Sequence, residues 1–239
     1  MEPQPLLDAA IRFEFTSELD RPTTLAQFSR VLSGLFSQMD VGFGLVDEDD
    51  AAGRGQAVAA PRYFDETIAV SVQASSILFQ TVAEYPGWRS FKQRLSEVLE
   101  GAESITGANI TIDRILLRYL NFFDESENMS DVVECDLRLP ESVIADRRAA
   151  RFAGGRETWS EPGFDMTVTD HVSLETSSKS GVIVDVSVWA NVDSMHLESA
   201  RLLSWIDRLH SVEKRQFASM LQPTLLDRMT VEWEDGPDD

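Results

Sequence analysis

The chain has 239 residues, and 41 Asp and Glu against 21 Lys and Arg give it a formal charge of −20. Hydrophobic residues make up 43% and aromatics 9%, enough apolar material for a core that acidic disordered chains lack. The charge disfavours nucleic acid and anionic membrane surfaces, because affinity for both comes largely from Lys and Arg.

Residues 9–16 alternate, with Ile11, Phe13 and Phe15 on one face and Arg12, Glu14 and Thr16 on the other. Period two predicts a half-buried strand. Leu25, Phe28, Leu32, Leu35 and Phe36 then form a helical stripe, with Thr24 and Gln27 as a candidate capping box. Residues 40–60 carry Asp47, Glu48, Asp49 and Asp50, then Gly53 and Gly55, and read as a solvated loop. Strand alternation returns at Ile68, Val70 and Val72 and again from Ile77 to Val82. After Pro86-Gly87, the set Trp88, Phe91, Leu95, Val98 and Leu99 repeats the spacing of the first helical stripe. Two similar β–α halves, 1–85 and 86–230, are one reading of that repeat; the ordinary geometry of a three-turn amphipathic helix is the other.

Residues 110–119 predict a strand with a fault. Ile110 and Ile112 share one phase and Ile115, Leu117 and Tyr119 the opposite one, so an extra residue near Asp113-Arg114 implies a β-bulge. Val133, Cys135, Leu137 and Leu139 alternate as another strand, and 141–151 read as a short helix or loop ended by Gly154-Gly155. Residues 164–174, a polar link at 175–181, and Val182, Val184, Val186 and Val188 read as a hairpin. A long helix from Ser199 to Leu221 buries Leu202, Ile206, Leu209, Phe217, Met220 and Leu221, and Pro223 interrupts it. Residues 231–239 form an acidic tail, with Trp233 as a candidate anchor.

About seven strands joined by short polar links, with three substantial helices, predict the α+β class: antiparallel sheet with helices packed on one face. Residues 1–230 are read as a single α+β domain.

No run approaches the roughly 18 to 20 apolar residues of a membrane span, and Met1 to Pro5 lack the basic and apolar regions of a signal peptide, so a cytoplasmic location is expected. Neither a P-loop nor a G-x-G-x-x-G turn is present, and Gly53-Arg54-Gly55 lacks the helix that a phosphate cradle needs. No G-x-S-x-G elbow occurs. Cys135, between Glu134 and Asp136, reads as a small core residue rather than a thiolate. His171, His196 and His210 lack metal-ligand spacing, and chance carboxylate pairs are inevitable among 41 acids. No catalytic residue, metal or cofactor is assigned.

The residues singled out for ligand or partner binding are Arg118, Asn121, Phe122, Phe123 and His210. Phe122 and Phe123 precede the acids Asp124, Glu125, Glu127, Asp131, Glu134 and Asp136, which reads as an aromatic and acidic partner-binding edge. One inward phenylalanine and one loop anchor is the plainer alternative.

Ala10-Ile11-Arg12-Phe13, Leu116-Leu117-Arg118-Tyr119-Leu120-Asn121, and Trp205-Ile206-Asp207-Arg208-Leu209-His210 with the later Phe217 span nearly the whole chain. Together they resemble a sporadically distributed bacterial family of uncharacterised proteins, with an R-Y-I-N-R-like strand and a C-terminal W-L-x-x-L-H-like helix. Phe122 stands where that strand motif carries a basic residue. The resemblance implies no catalytic residue or cofactor, and its patchy distribution fits accessory or genetic-conflict roles.

The sequence therefore points to a non-enzymatic protein-binding module that engages a protein partner or forms a homodimer. One alternative is an enzyme or small-ligand binder with Arg118, Asn121 and His210 converging in a pocket between sheet and helices. Another is an acidic nucleic-acid mimic with carboxylates in rows on one face.

Overall fold

A computed structural model describes residues 6–44, 58–73, 75–83, 85–106, 109–124, 132–133, 152–161, 164–175 and 181–226. In chain order the elements are β1 (Leu6–Ser17), α1 (Arg21–Leu35), β2 (Gln38–Gly44), β3 (Val58–Phe64), β4 (Ile68–Val72) and β5 (Ser76–Thr81). They continue with α2 (Trp88–Thr106), β6 (Ile110–Asp124), β7 (Phe152–Glu161), β8 (Phe164–Glu175), β9 (Gly181–His196), α3 (Ser199–Met220) and the short α4 (Pro223–Leu226). The strands form one nine-stranded sheet in the order β2-β3-β4-β5-β1-β6-β9-β8-β7, and every pairing is antiparallel. The fold is α+β.

Register carries the apolar phase from strand to strand. One row runs Met39, Tyr63, Val70, Phe79, Ile11, Leu117, Val188, Val168 across eight strands. All of it is buried except Met39, which is 62% exposed at the end. The long helices lie on this face. Phe28 of α1 meets Phe15, Phe91 of α2 meets Phe79, and His210 of α3 meets Tyr119. No described helix is long and apolar enough to cross a membrane.

Each helix start has a local cause. Asp20, not Thr24, caps α1: its carboxylate accepts the Thr23 N–H at 2.9 Å, and Pro22 occupies the first turn, where no N–H is needed. Thr24 lies inside the helix and donates its hydroxyl to the Asp20 carbonyl. For α3, Glu198 makes no capping bond; Glu103 of α2 instead accepts both the N–H and the hydroxyl of Ser199, at 3.0 and 2.6 Å. Lys92 to Asp207, 2.7 Å, is a second tie between these helices.

Several sequence expectations need correction. Both ends of the 40–60 stretch are strand, because β2 and β3 pair over Gln38–Gly44 and Val58–Phe64. Glycines and Pro61 hid them, and Pro61 is tolerated where β3 pairs with β2 but not yet with β4. Gly154-Gly155 lies within β7 rather than ending a helix. β6 runs on to Asp124, so Phe122 and Phe123 belong to the strand. The expected bulge is present: Glu14 pairs with Arg114 and Phe15 with Ile112, which leaves Asp113 unmatched.

The strand read at 133–139 lies outside the described residues after Val133, which bridges to Leu221. Cys135, the stretch 141–151 and the acidic tail also fall outside them. Topologically, β1 pairs with β5, which leads into α2, and β6 pairs with β9, which leads into α3.

Candidate functional site

The side chains of β6 sort strictly by face. Tyr119, Asn121 and Phe123 point to the helices and are buried, whereas Arg118 and Phe122 point away. Arg118, Asn121 and His210 therefore form no single polar set, because the sheet stands between the first and the other two. Arg118 instead holds Asp185 of β9 in a two-pronged ion pair, at 2.9 and 2.6 Å. That hydrogen-bonded carboxylate raises its pKa further above an already high value.

On the helix face a polar group lies inside the core. The Tyr119 hydroxyl lies 3.1 Å from the Tyr85 hydroxyl and 3.3 Å from His210 Nδ1. The His210 ring stacks on Trp88, with centroids 3.9 Å apart. Glu213, one turn further along α3, is 3% exposed, and Gln216 donates to Asp170 of β8 at 2.9 Å. Burial sets the protonation of the group. It lowers the His210 pKa to about 3, with Lys214 and Lys92 adding to the effect. It raises Glu213 well above the carboxylate range against the pull of Lys214, and raises Tyr119 as well. At neutral pH His210 is therefore neutral, and burial disfavours the charged form of Glu213 beside it. His210 Nε2 has no hydrogen-bond partner among the described residues.

The two phenylalanines have separate fates. Phe123 packs inward on Phe217 of α3, with centroids 6.4 Å apart. Phe122 lies on the other face over Gly181, so close that a Cβ there would meet its ring at 2.5 Å. The two rings therefore face opposite sides of β6, with Phe123 the inward one, and the acids Glu125, Glu127, Asp131, Glu134 and Asp136 lie outside the described residues.

The face opposite the helices has no cover among the described residues. One row across it reads Asp40, Arg62, Ser71, Leu78, Arg12, Leu116, Trp189, Thr167. Arg114 and Arg118 extend it on β6, beside Glu14 and Asp185. Arg114 stacks over the Trp189 ring at 4.9 Å and lies 3.5 Å from Glu14, while Arg62 lies 5.6 Å over Phe64. The bulge feeds this face: it re-phases β6 so that Arg114 reaches Asn191 at 3.2 Å, while Asp113 accepts from Thr16 at 2.8 Å. In a chain of charge −20, four arginines here alternate with apolar and aromatic side chains. Sequence reasoning passed over the face because its residues are scattered from position 12 to 189; only strand register assembles them.

The three histidines are dispersed: His171 on the open face, His196 at the end of β9 and His210 in the core. Among the described residues no cluster of His, Cys, Asp and Glu is fit to hold a metal. A surface cleft of about 210 Å³ lies between the β3–β4 turn and α2, lined by Asp65, Thr67, Pro86, Ser90, Arg94 and Glu97. Arg94 is consumed there by Asp65, Glu97 and the Leu35 carbonyl, and by the Phe36 ring at 4.5 Å, so it ties α2 to its neighbours.

No family model and no curated protein matches this chain. Among solved structures, the di-domain ARO/CYC StfQ from the steffimycin biosynthetic pathway is 8% identical, over 88% of this chain and 95% of that one, with a TM-score of 0.21. So low a score carries no argument about either fold or function.

Proposed function

We propose that this chain is a non-enzymatic protein-binding module that works through the open face of its sheet. The observation that carries this reading is the composition of that face: Arg12, Arg62, Arg114 and Arg118 interleaved with Leu78, Leu116, Trp189 and Phe122. Aromatic residues and arginine are enriched at protein interfaces, because they bring large rigid contact area and several hydrogen-bond donors together. The arginines also offset the chain's negative field locally, so an acidic or neutral protein surface can approach here.

The buried polar group supports the same choice. Burial holds His210 neutral, and the sheet separates Asn121 and His210 from Arg118, so the three residues of the enzyme reading do not share one pocket. The nucleic-acid mimic needs rows of carboxylates, and the open face alternates arginines with its acids.

Native mass spectrometry of the purified chain and of its co-purifying proteins tests the proposal. A stoichiometric complex that Trp189→Glu or Arg118→Asp abolishes, with the fold retained by circular dichroism, is the expected result. A complex indifferent to both substitutions overturns it.

A further inference from the structure

The buried row that crosses the sheet runs out at β2. Tyr63, Val70, Phe79, Ile11, Leu117, Val188 and Val168 are sealed beneath the helices, at 0 to 3% exposure. Met39, next in the same row, is 62% exposed, and Val41, two residues on, is 66% exposed. The helix layer stops short of this strand. β2 is also the end of the sheet, and its outward backbone groups have no strand beside them among the described residues.

Edge strands of natural proteins are normally blunted by Lys, Pro, a bulge or a covering segment. Gln38–Gly44 contains neither Lys nor Pro, and its pairing with β3 runs without a register shift. Its one charge is Asp40, exposed on the opposite face to Met39 and Val41.

We propose that β2 is a docking edge that accepts an extended segment of another protein as a tenth strand. The segment has apolar residues at alternate positions and Lys or Arg between them. Backbone hydrogen bonds along the edge supply affinity that is independent of sequence. Alternation supplies the specificity: apolar side chains continue the row past Met39 and Val41, and a cation stands across from Asp40. The charge of −20 selects against a second copy as the occupant, because pairing β2 with its own counterpart brings two strongly acidic chains together with no cation in either strand. The edge meets the open face only at Asp40, the end of its row, and lies six strands from β9 and five from β6, which carry Trp189 and Arg118.

The test uses the full chain and a fluorescein-labelled nonapeptide of alternating Val and Lys, followed by anisotropy. Two control peptides accompany it: one with Glu replacing Lys, and one with the same Val and Lys content in two blocks. Saturable binding of the alternating Val/Lys peptide is expected, with the Glu peptide and the block peptide each about tenfold weaker. Val41→Pro, which interrupts the edge, lowers affinity about tenfold. Asp40→Asn, which removes the charge without setting a second cation opposite Arg62, narrows the preference for Lys over Glu about threefold. Trp189→Glu leaves peptide binding unchanged, which separates this edge from the open face.

Equal binding of the block peptide reduces the effect to non-specific charge and overturns the proposal. So does the absence of saturable binding, or binding that Val41→Pro leaves unchanged and whose Lys preference Asp40→Asn leaves unchanged. A dimer in light scattering that Val41→Pro dissolves assigns the edge to a second copy instead and also overturns it.

Discussion

Tyr119 and His210 stand 91 residues apart in sequence and 3.3 Å apart in space, hydroxyl to Nδ1, in the middle of an apolar core. The contact fastens the central strand β6 to α3, and Tyr85 and Trp88 complete it from the start of α2 and the segment before it. Buried polar groups are costly when left unmatched, so the pairing fixes how α3 sits on the sheet. Tyr119→Phe is expected to lower stability by about 1–2 kcal/mol, because the Tyr85 hydroxyl and His210 Nδ1 both lose a partner. A double-mutant cycle with His210→Phe in urea denaturation should give a coupling of about 0.5–1.5 kcal/mol. A coupling near zero makes the contact incidental.

Two neighbours on α3 titrate in opposite senses. His210 has a folded pKa of about 3 against 6.5 in the unfolded chain, so the unfolded state binds the extra proton below 6.5 and stability falls with pH there. Glu213 is raised above 4.5 on folding, so the unfolded state loses its proton first and stability falls as pH rises above 4.5. The slopes oppose each other between 4.5 and 6.5, where these two groups together leave a plateau. At pH 4.5 the wild type should be about 2–3 kcal/mol weaker relative to His210→Phe than it is at pH 7.5. Relative to Glu213→Gln, the wild type should lose ground steadily above pH 4.5. Urea midpoints measured across pH check both slopes.

The contact between α1 and α2 is close enough to require glycine. A Cβ on Gly101 would lie 2.6 Å from Val31 Cγ1, and a valine in a helix has almost one rotamer, so it cannot swing aside. Gly101→Ala gains about 1 kcal/mol of helix propensity and meets an overpacking cost of about 1–3 kcal/mol. Net destabilisation is expected, and Val31→Ala in the same chain should relieve it. Additive effects of the two substitutions on Tm mean that the helices separate to make room.

Phe122 and Phe123 are adjacent but unequal. Phe123→Ala removes a ring stacked on Phe217 and should cost about 3–4 kcal/mol. Phe122→Ala, on the open face, should cost less than about 1.5 kcal/mol and weaken partner binding. Denaturation of the two variants side by side checks the order, and a reversed order contradicts the facing of β6.

Much of the scaffold was legible in residue patterns. Alternation located β1, β4, β5, β8 and most of β9, the 3.6-residue stripes located all three long helices, and the phase break at Asp113 foretold the bulge. β2, β3 and β7 were missed because Gly42, Gly44, Pro61 and Gly154-Gly155 give strand positions a loop composition. The cap of α1 was misplaced for a similar reason: Thr24 and Gln27 fit a local rule, whereas Asp20 and Pro22 satisfy the helix end. Among the site residues, His210 was found by type and helical phase, and its partner Tyr119 only as a core residue. Asn121 and Phe123 proved to be buried strand positions.

The sequence by itself determined the α+β class, the faces of most elements and the net charge of −20, because these follow from nearest neighbours along one strand or helix turn. Strand order and register were decided only by the tertiary structure. Pairings such as Ile11 with Leu117 or Asp40 with Arg62 depend on how chain segments far apart lie down together. Register placed the helices on one side, sent Arg118 away from His210, and gathered four arginines and Trp189 on the other. It also left Met39 outside at the end of a row whose other members are all covered.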